Sequence, residues 1–197
     1  VWRYKTGSNV DSSPAVSGGV VYVGSDDRWV YALEASTGDL VWRYKTGDGV
    51  WSSPAVAGGV VYVGSDNNYL YALDASTGDL IWRYKAGSDV DSSPTVADGV
   101  VYVGSDDSYV YALDGSTGDL IWRYKTGGDV DSSPAVADGV VYVGSDDDYL
   151  YALEVSTGDL VWRYKAGGDV NSSAAIAGGV VYVGSRNSYV YAIQTGP

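Results

Sequence analysis

Runs of apolar residues broken by short polar turns follow one another along the whole chain, and the pattern returns every 40 residues. In the second copy, Val60–Gly64 (Val-Val-Tyr-Val-Gly) is continuously apolar, as expected of a strand covered on both faces. Leu70–Leu73 follows after an Asp/Asn turn. Leu80–Lys85 then alternates, with Trp82 and Tyr84 on one face and Arg83 and Lys85 on the other. Val50–Val56, small and β-branched, supplies a strand ahead of these. Four strands, A to D in chain order, fill 40 residues and leave no room for a helix. The predicted class is all-β.

Shifting the chain by 40 aligns it with itself almost throughout, and 81–120 matches 121–160 at 33 of 40 positions. Such a period, with Gly and aromatic markers, predicts a propeller or solenoid. The copies are 1–40, 41–80, 81–120, 121–160 and 161–197, forming one domain over 1–197. Gly18-Gly19, Gly58-Gly59 and Asp98-Gly99 separate strands A and B, where a two-residue hairpin needs positive φ. Ser76-Thr77-Gly78 marks a longer hairpin with glycine at its left-handed position. The glycines are turn and packing residues, because a phosphate-cradling loop would have to open a helix.

The run Ala72–Trp82 fits the pattern A-x-D-x-x-T-G-x-x-x-W. It recurs at Ala112–Trp122, and with Glu at the acidic position at Ala32–Trp42 and Ala152–Trp162. This resembles the tryptophan-docking motif of pyrroloquinoline-quinone (PQQ)-like repeats, found in quinoprotein dehydrogenases and related outer-membrane assembly lipoproteins. The resemblance implies a β-propeller in which Trp42, Trp82, Trp122 and Trp162 dock between neighbouring blades, and a periplasmic or extracellular setting for a natural member. Counting strands on that basis predicts five four-stranded antiparallel blades. Val1–Lys5 reads as a lone D strand that completes the last blade beside Val190–Gln194 and places Trp2 in the fifth docking position. A ring closed in this way has no open sheet edge. The expected state is a monomer, with blade-sharing between chains as the alternative. Two departures separate the chain from the family's enzymes: they are usually described with eight blades, and they carry a vicinal disulfide at the cofactor.

Composition narrows the chemistry. Cys and His are both absent, which removes disulfides, thiolate or imidazole metal sites, and Ser-His or Cys-His catalysis. A quinone-dependent dehydrogenase is therefore not expected, and no cofactor is assigned. The formal charge of −13 opposes nucleic-acid binding. No apolar run reaches membrane-spanning length, and no segment has the pattern of a signal peptide.

The copies differ most in the D–A and B–C loops, which antiparallel topology places on one face. Fifteen of the 25 acids fall there against Arg28 and Arg186, so the whole charge excess belongs to that face. The candidate ligand face is Asp11, Asp27, Arg28, Trp29, Trp51, Asp91, Asp131, Asn171 and Arg186. A single-sign face draws cations or basic partners, and aromatics beside carboxylates suit glycans or cations. Asp146, Asp147 and Asp148 are the candidates for a weak divalent-cation site. Against these readings, Asp is an ordinary turn residue and Trp29 stands where other copies pack a Tyr. No catalytic residue is assigned, although paired carboxylates leave a glycosidase-like acid and base open on composition alone. Near-identical blades are not expected to give two carboxylates the divergent environments that such work needs. The leading functional reading is a non-enzymatic scaffold or binding module, consensus-like, designed or recently amplified. The alternative is a lectin- or adaptor-like propeller that uses its acidic face.

Overall fold

The computed structural model describes residues 1–195. The first blade is a meander of β1 (Ala15–Ser17), β2 (Val20–Ser25), β3 (Trp29–Glu34) and β4 (Leu40–Lys45). The second repeats it with β5 (Ala55–Ala57), β6 (Val60–Ser65), β7 (Tyr69–Asp74) and β8 (Leu80–Lys85). The third has β9 (Thr95–Ala97), β10 (Val100–Ser105), β11 (Tyr109–Asp114) and β12 (Leu120–Lys125). The fourth has β13 (Ala135–Ala137), β14 (Val140–Gly144), β15 (Tyr149–Glu154) and β16 (Leu160–Lys165). The fifth has only β17 (Ala175–Ala177), β18 (Val180–Ser185) and β19 (Tyr189–Gln194). All pairings are antiparallel, and there is no helix among the described residues.

In the four four-stranded blades the two middle strands are largely buried on both sides, as their continuous apolar runs predict: Val61, Tyr62, Val63 and Leu70–Leu73 are inaccessible or nearly so, whereas Tyr182 and Val190 of the fifth blade are exposed. One face of each blade packs on the opposite face of the next. Between the first two blades, Tyr22, Val30, Ala32 and Trp42 meet Val50, Val61, Val63, Tyr71 and Leu73. The innermost strands β1, β5, β9, β13 and β17 contact one another in sequence.

Two glycine positions allow this close stacking. A Cβ on Gly64 would lie 2.0 Å from the Val90 carbonyl oxygen of the next blade. A Cβ on Gly78 would lie 2.7 Å from the Trp42 ring, and its φ of +76° suits glycine in any case. Tryptophan docking is the same at four positions. The indole Nε1–H of Trp42 donates to the Ala75 carbonyl at 2.9 Å, Trp82 to Gly115 at 2.9 Å, Trp122 to Val155 at 2.8 Å and Trp2 to Ala35 at 2.9 Å. Trp162 is half-buried and packs against Tyr142 with ring centroids 5.8 Å apart.

Two expectations are corrected. The A strands are shorter than Val50–Val56, because Val50–Pro54 leaves its own sheet to bind the neighbouring blade. The Ser52 hydroxyl accepts from Gly64 N–H within its blade and donates to the Ser92 carbonyl of the next, while Ser53 N–H donates to the Ser93 hydroxyl.

The second correction concerns closure. Val1–Lys5 is not a strand, and among the described residues β19 pairs only with β18. The segment lies instead against the first blade, in the place that Val41–Lys45 holds on the second: Trp2 docks on Ala35, and Tyr4 meets Tyr31 at 5.6 Å as Tyr44 meets Tyr71 at 5.7 Å. Among the described residues the fifth sheet therefore stays three-stranded.

Candidate functional site

The D–A and B–C loops meet at each blade junction, where the sequence concentrates its acids. The structure divides these residues into three groups with different tasks.

Asp27, Asp107 and Asp147 are junction acceptors. Asp27 takes the Gly7 N–H at 2.6 Å and the Tyr31 hydroxyl at 2.7 Å on one carboxylate oxygen. Asp107 takes Gly87 N–H at 2.6 Å and the Tyr111 hydroxyl. Asp147 takes Gly127 N–H at 2.8 Å and the Tyr151 hydroxyl, and its other oxygen takes Tyr149 N–H at 3.2 Å. At the equivalent positions Asn67 and Asn187 reach the same tyrosine and donate to a main-chain carbonyl. Burial and the Asp27 carboxylate push the Tyr31 hydroxyl up to about 12, so it stays a donor.

A second set of carboxyls faces across the junctions. Asp66 neighbours Asp91, and Asp106 neighbours Asp131. Burial first, then the neighbouring carboxylates, raise Asp91 and Asp106 to about 7 and also raise Asp66 and Asp146. The buried Oδ1 atoms of Asp66 and Asp91 have no hydrogen-bond partner, which favours the protonated form of a carboxyl there. Near-identical blades thus do hold carboxyls in unequal environments, contrary to expectation, because each pair joins two different loops. The remaining junctions read Asp146 with Asn171, and Trp51 where Asp91 and Asp131 stand elsewhere. Asn171 donates to Asp131 at 3.1 Å.

The third group is exposed. Arg28 lies 3.8 Å from Asp48, and Arg186 lies 3.4 Å from Asp169. Asp11 is open to solvent and Trp51 is 52% exposed. Trp29 does not belong to this group. It lies half-buried under the Arg43 guanidinium at 4.3 Å, the place that Tyr69 takes under Arg83 at 4.7 Å, and is a framework aromatic. Asp146, Asp147 and Asp148 do not converge either, since one faces the next blade, one is an engaged acceptor and one occupies a left-handed turn at φ +73°. No cluster of three or more potential metal ligands forms among the described residues.

A surface depression of about 560 Å³ lies on the opposite face between the second and third blades, lined by Tyr62, Asp98 and Asp114 among others. A smaller one occupies the same place at the first junction, so the groove is a product of stacking. The sequence reading missed the serine ladder of Ser52, Ser92 and Ser132. Its signal is a Ser-Ser pair present in every copy, a hydroxyl repeated where a turn needs none.

The family described as outer membrane protein assembly factor BamB matches residues 1–90, 45–131 and 106–196. The chain belongs to this family of PQQ-like repeat propellers. No curated protein matches it. BamB from Moraxella catarrhalis is similar in structure at 22% identity and a TM-score of 0.86, covering 98% of this chain and 60% of BamB. The quinohemoprotein alcohol dehydrogenase ADHIIG from Pseudomonas putida HK5 matches at 22% identity and 0.80, covering 98% of this chain and 41% of the enzyme. The computationally designed Ika8 protein matches at 16% identity and 0.70, covering 93% and 70%. At these identities the likeness is one of fold, and the chain spans about three-fifths of BamB. Near-identical blades are what duplication or design of one blade produces. The residues present do not fit PQQ. A tricarboxylated quinone needs cationic partners, and the loop face offers two arginines, both beside aspartates, among fifteen acids. No helix among the described residues is long and apolar enough to cross a membrane.

Proposed function

We propose that this protein is a non-enzymatic propeller scaffold, with binding and not catalysis as its role. One observation carries the reading: the polar residues that recur from blade to blade are engaged in blade stacking. The hydroxyls of Ser52, Ser92 and Ser132, the carboxylates of Asp27, Asp107 and Asp147, and the indole N–H groups of Trp2, Trp42, Trp82 and Trp122 have main-chain partners at the junctions. The carboxyls raised to about 7 sit at blade junctions on the loop face and do not line the grooves of the opposite face. The family description, an outer membrane protein assembly factor, agrees with a role in holding other proteins.

The test is incubation with PQQ and Ca²⁺ followed by alcohol-dependent dye reduction. The rate is expected to equal that without PQQ, and reduction above that control contradicts the scaffold reading. A second reading, an acidic binding face for a basic peptide, is favoured by Trp51, a large aromatic exposed within a single-sign field. Binding of a Lys/Arg-rich peptide should weaken with added salt and with Trp51→Ala; salt-independent binding counts against it. Because no ligand set converges, Ca²⁺ should raise the melting temperature no more than NaCl at matched ionic strength.

A further inference from the structure

In the groove between the second and third blades, two departures from the other repeats meet. We propose that this groove binds a small organic amine, its ammonium group held by Asp98 and Asp114 and its carbon skeleton laid on Val60, Val96 and Val100.

The first departure is a missing side chain. At the residue after the acidic position of the docking motif the copies read Ala35, Ala75, Gly115, Val155 and Thr195, so only the third blade has a glycine there. A Cβ on Gly115 would lie 2.7 Å from the Gly99 carbonyl oxygen and 3.1 Å from the Tyr62 hydroxyl, and both of those residues line the groove. With Ala75 in the equivalent place the first junction leaves about 270 Å³, and with Gly115 the second leaves about 560 Å³. The larger volume falls within the range of small-molecule sites, about 300–1,000 Å³. The backbone does not call for this glycine. Gly115 is not among the residues with positive φ, and its N–H bond to the Gly99 carbonyl at 2.8 Å is made equally by Ala75 to Gly59 at 2.9 Å.

The second departure is charge. Asp98 stands where the first junction has Gly58, and the smaller groove is lined by no charged residue. Asp98 is exposed on its hairpin turn, and neither it nor Asp114 has an ion-pair partner among the described residues. Asp114 accepts from Ser116 N–H, the Ser116 hydroxyl and Thr117 N–H on Oδ1, bonds that hold its carboxyl below the ordinary range and keep it an anion.

The remaining wall is carbon surface with its polar groups already spent. The Tyr62 hydroxyl donates to the Gly115 carbonyl at 3.0 Å, and the Trp82 indole donates to the same oxygen at 2.9 Å. The wall is therefore fixed before a ligand arrives, which lowers the ordering cost of binding. Apolar lining with a few charged groups suits a cation that carries carbon. A bare metal ion is not matched, because no cluster of three or more ligating side chains forms among the described residues. The groove lies on the face opposite the acidic loops, and the inference depends on neither reading of function given above.

The test is titration of n-hexylamine into the isotope-labelled protein at constant ionic strength, followed by the amide shifts of Gly99 and Ser116, with Gly59 of the first junction as internal control. Saturable shifts at Gly99 and Ser116 and not at Gly59 are expected, and n-hexanol should not reproduce them. Asp98→Asn removes one of the two charges, and Gly115→Ala restores the residue that the first two blades carry. Each should weaken binding by about threefold or more while leaving the melting temperature unchanged. Asp98→Asn, at an exposed position, decides the matter alone if Gly115→Ala does not fold. No saturable shift, shifts as large at Gly59, an equal response to n-hexanol, or undiminished binding by either folded variant overturns the proposal. So does a lysine peptide that moves these amides where n-hexylamine does not, since the groove would then serve a protein partner.

Discussion

Asp91 and Asp106 are the residues at which the acidic face has a measurable cost. Each binds a proton more readily in the folded protein, near pH 7, than in an unfolded chain, where aspartate titrates near about 3.9. Their contribution to stability is therefore greatest below the unfolded value and falls as pH rises through about 7. The melting temperature should rise on acidification from pH 8 to pH 5, and Asp91→Asn with Asp106→Asn should raise it at pH 8 and flatten the profile. Asp74, Asp114 and Glu154 titrate in the opposite sense, held low by hydroxyl and main-chain donors, and act only below that window. The abundance of these carboxyls was legible in the sequence. Their pairing was not, because it depends on which loops two successive blades bring together. Trp29 illustrates the same gap: Arg43 lies one strand away, and nothing local to Trp29 distinguishes a covered aromatic from an exposed one.

At the scale of the element, the middle strands and the docking tryptophans were readable because each repeats five times or nearly so, and a buried strand needs only an apolar run. Trp82 is 8% exposed and its N–H is bonded to Gly115. Trp82→Ala should cost about 3–5 kcal/mol by chemical denaturation. Trp2 makes the same bond but is 37% exposed, and Trp2→Ala should cost less than half as much. Equal losses would mean that the N-terminal segment is as fully packed as the internal outer strands. The inner strands were read too long. Their Ser-Ser-Pro step looks extended, but its hydrogen bonds go to the next blade and not to its own sheet.

For the whole molecule, strand counting found five repeats but not the state of their ends. Whether five blades close depends on the angle between neighbours, which is set by many small contacts and is carried by no single residue type. The strands were present in the count, yet Val1–Lys5 docks on the first blade without reaching β19. Blade stacking is the account's central claim, and the measurement that tests it most directly is chemical denaturation of Ser92→Ala. The substitution leaves the Ser132 carbonyl and Gly104 N–H without the hydroxyl that joins two blades, and should cost about 1–3 kcal/mol. An unchanged stability would contradict the account.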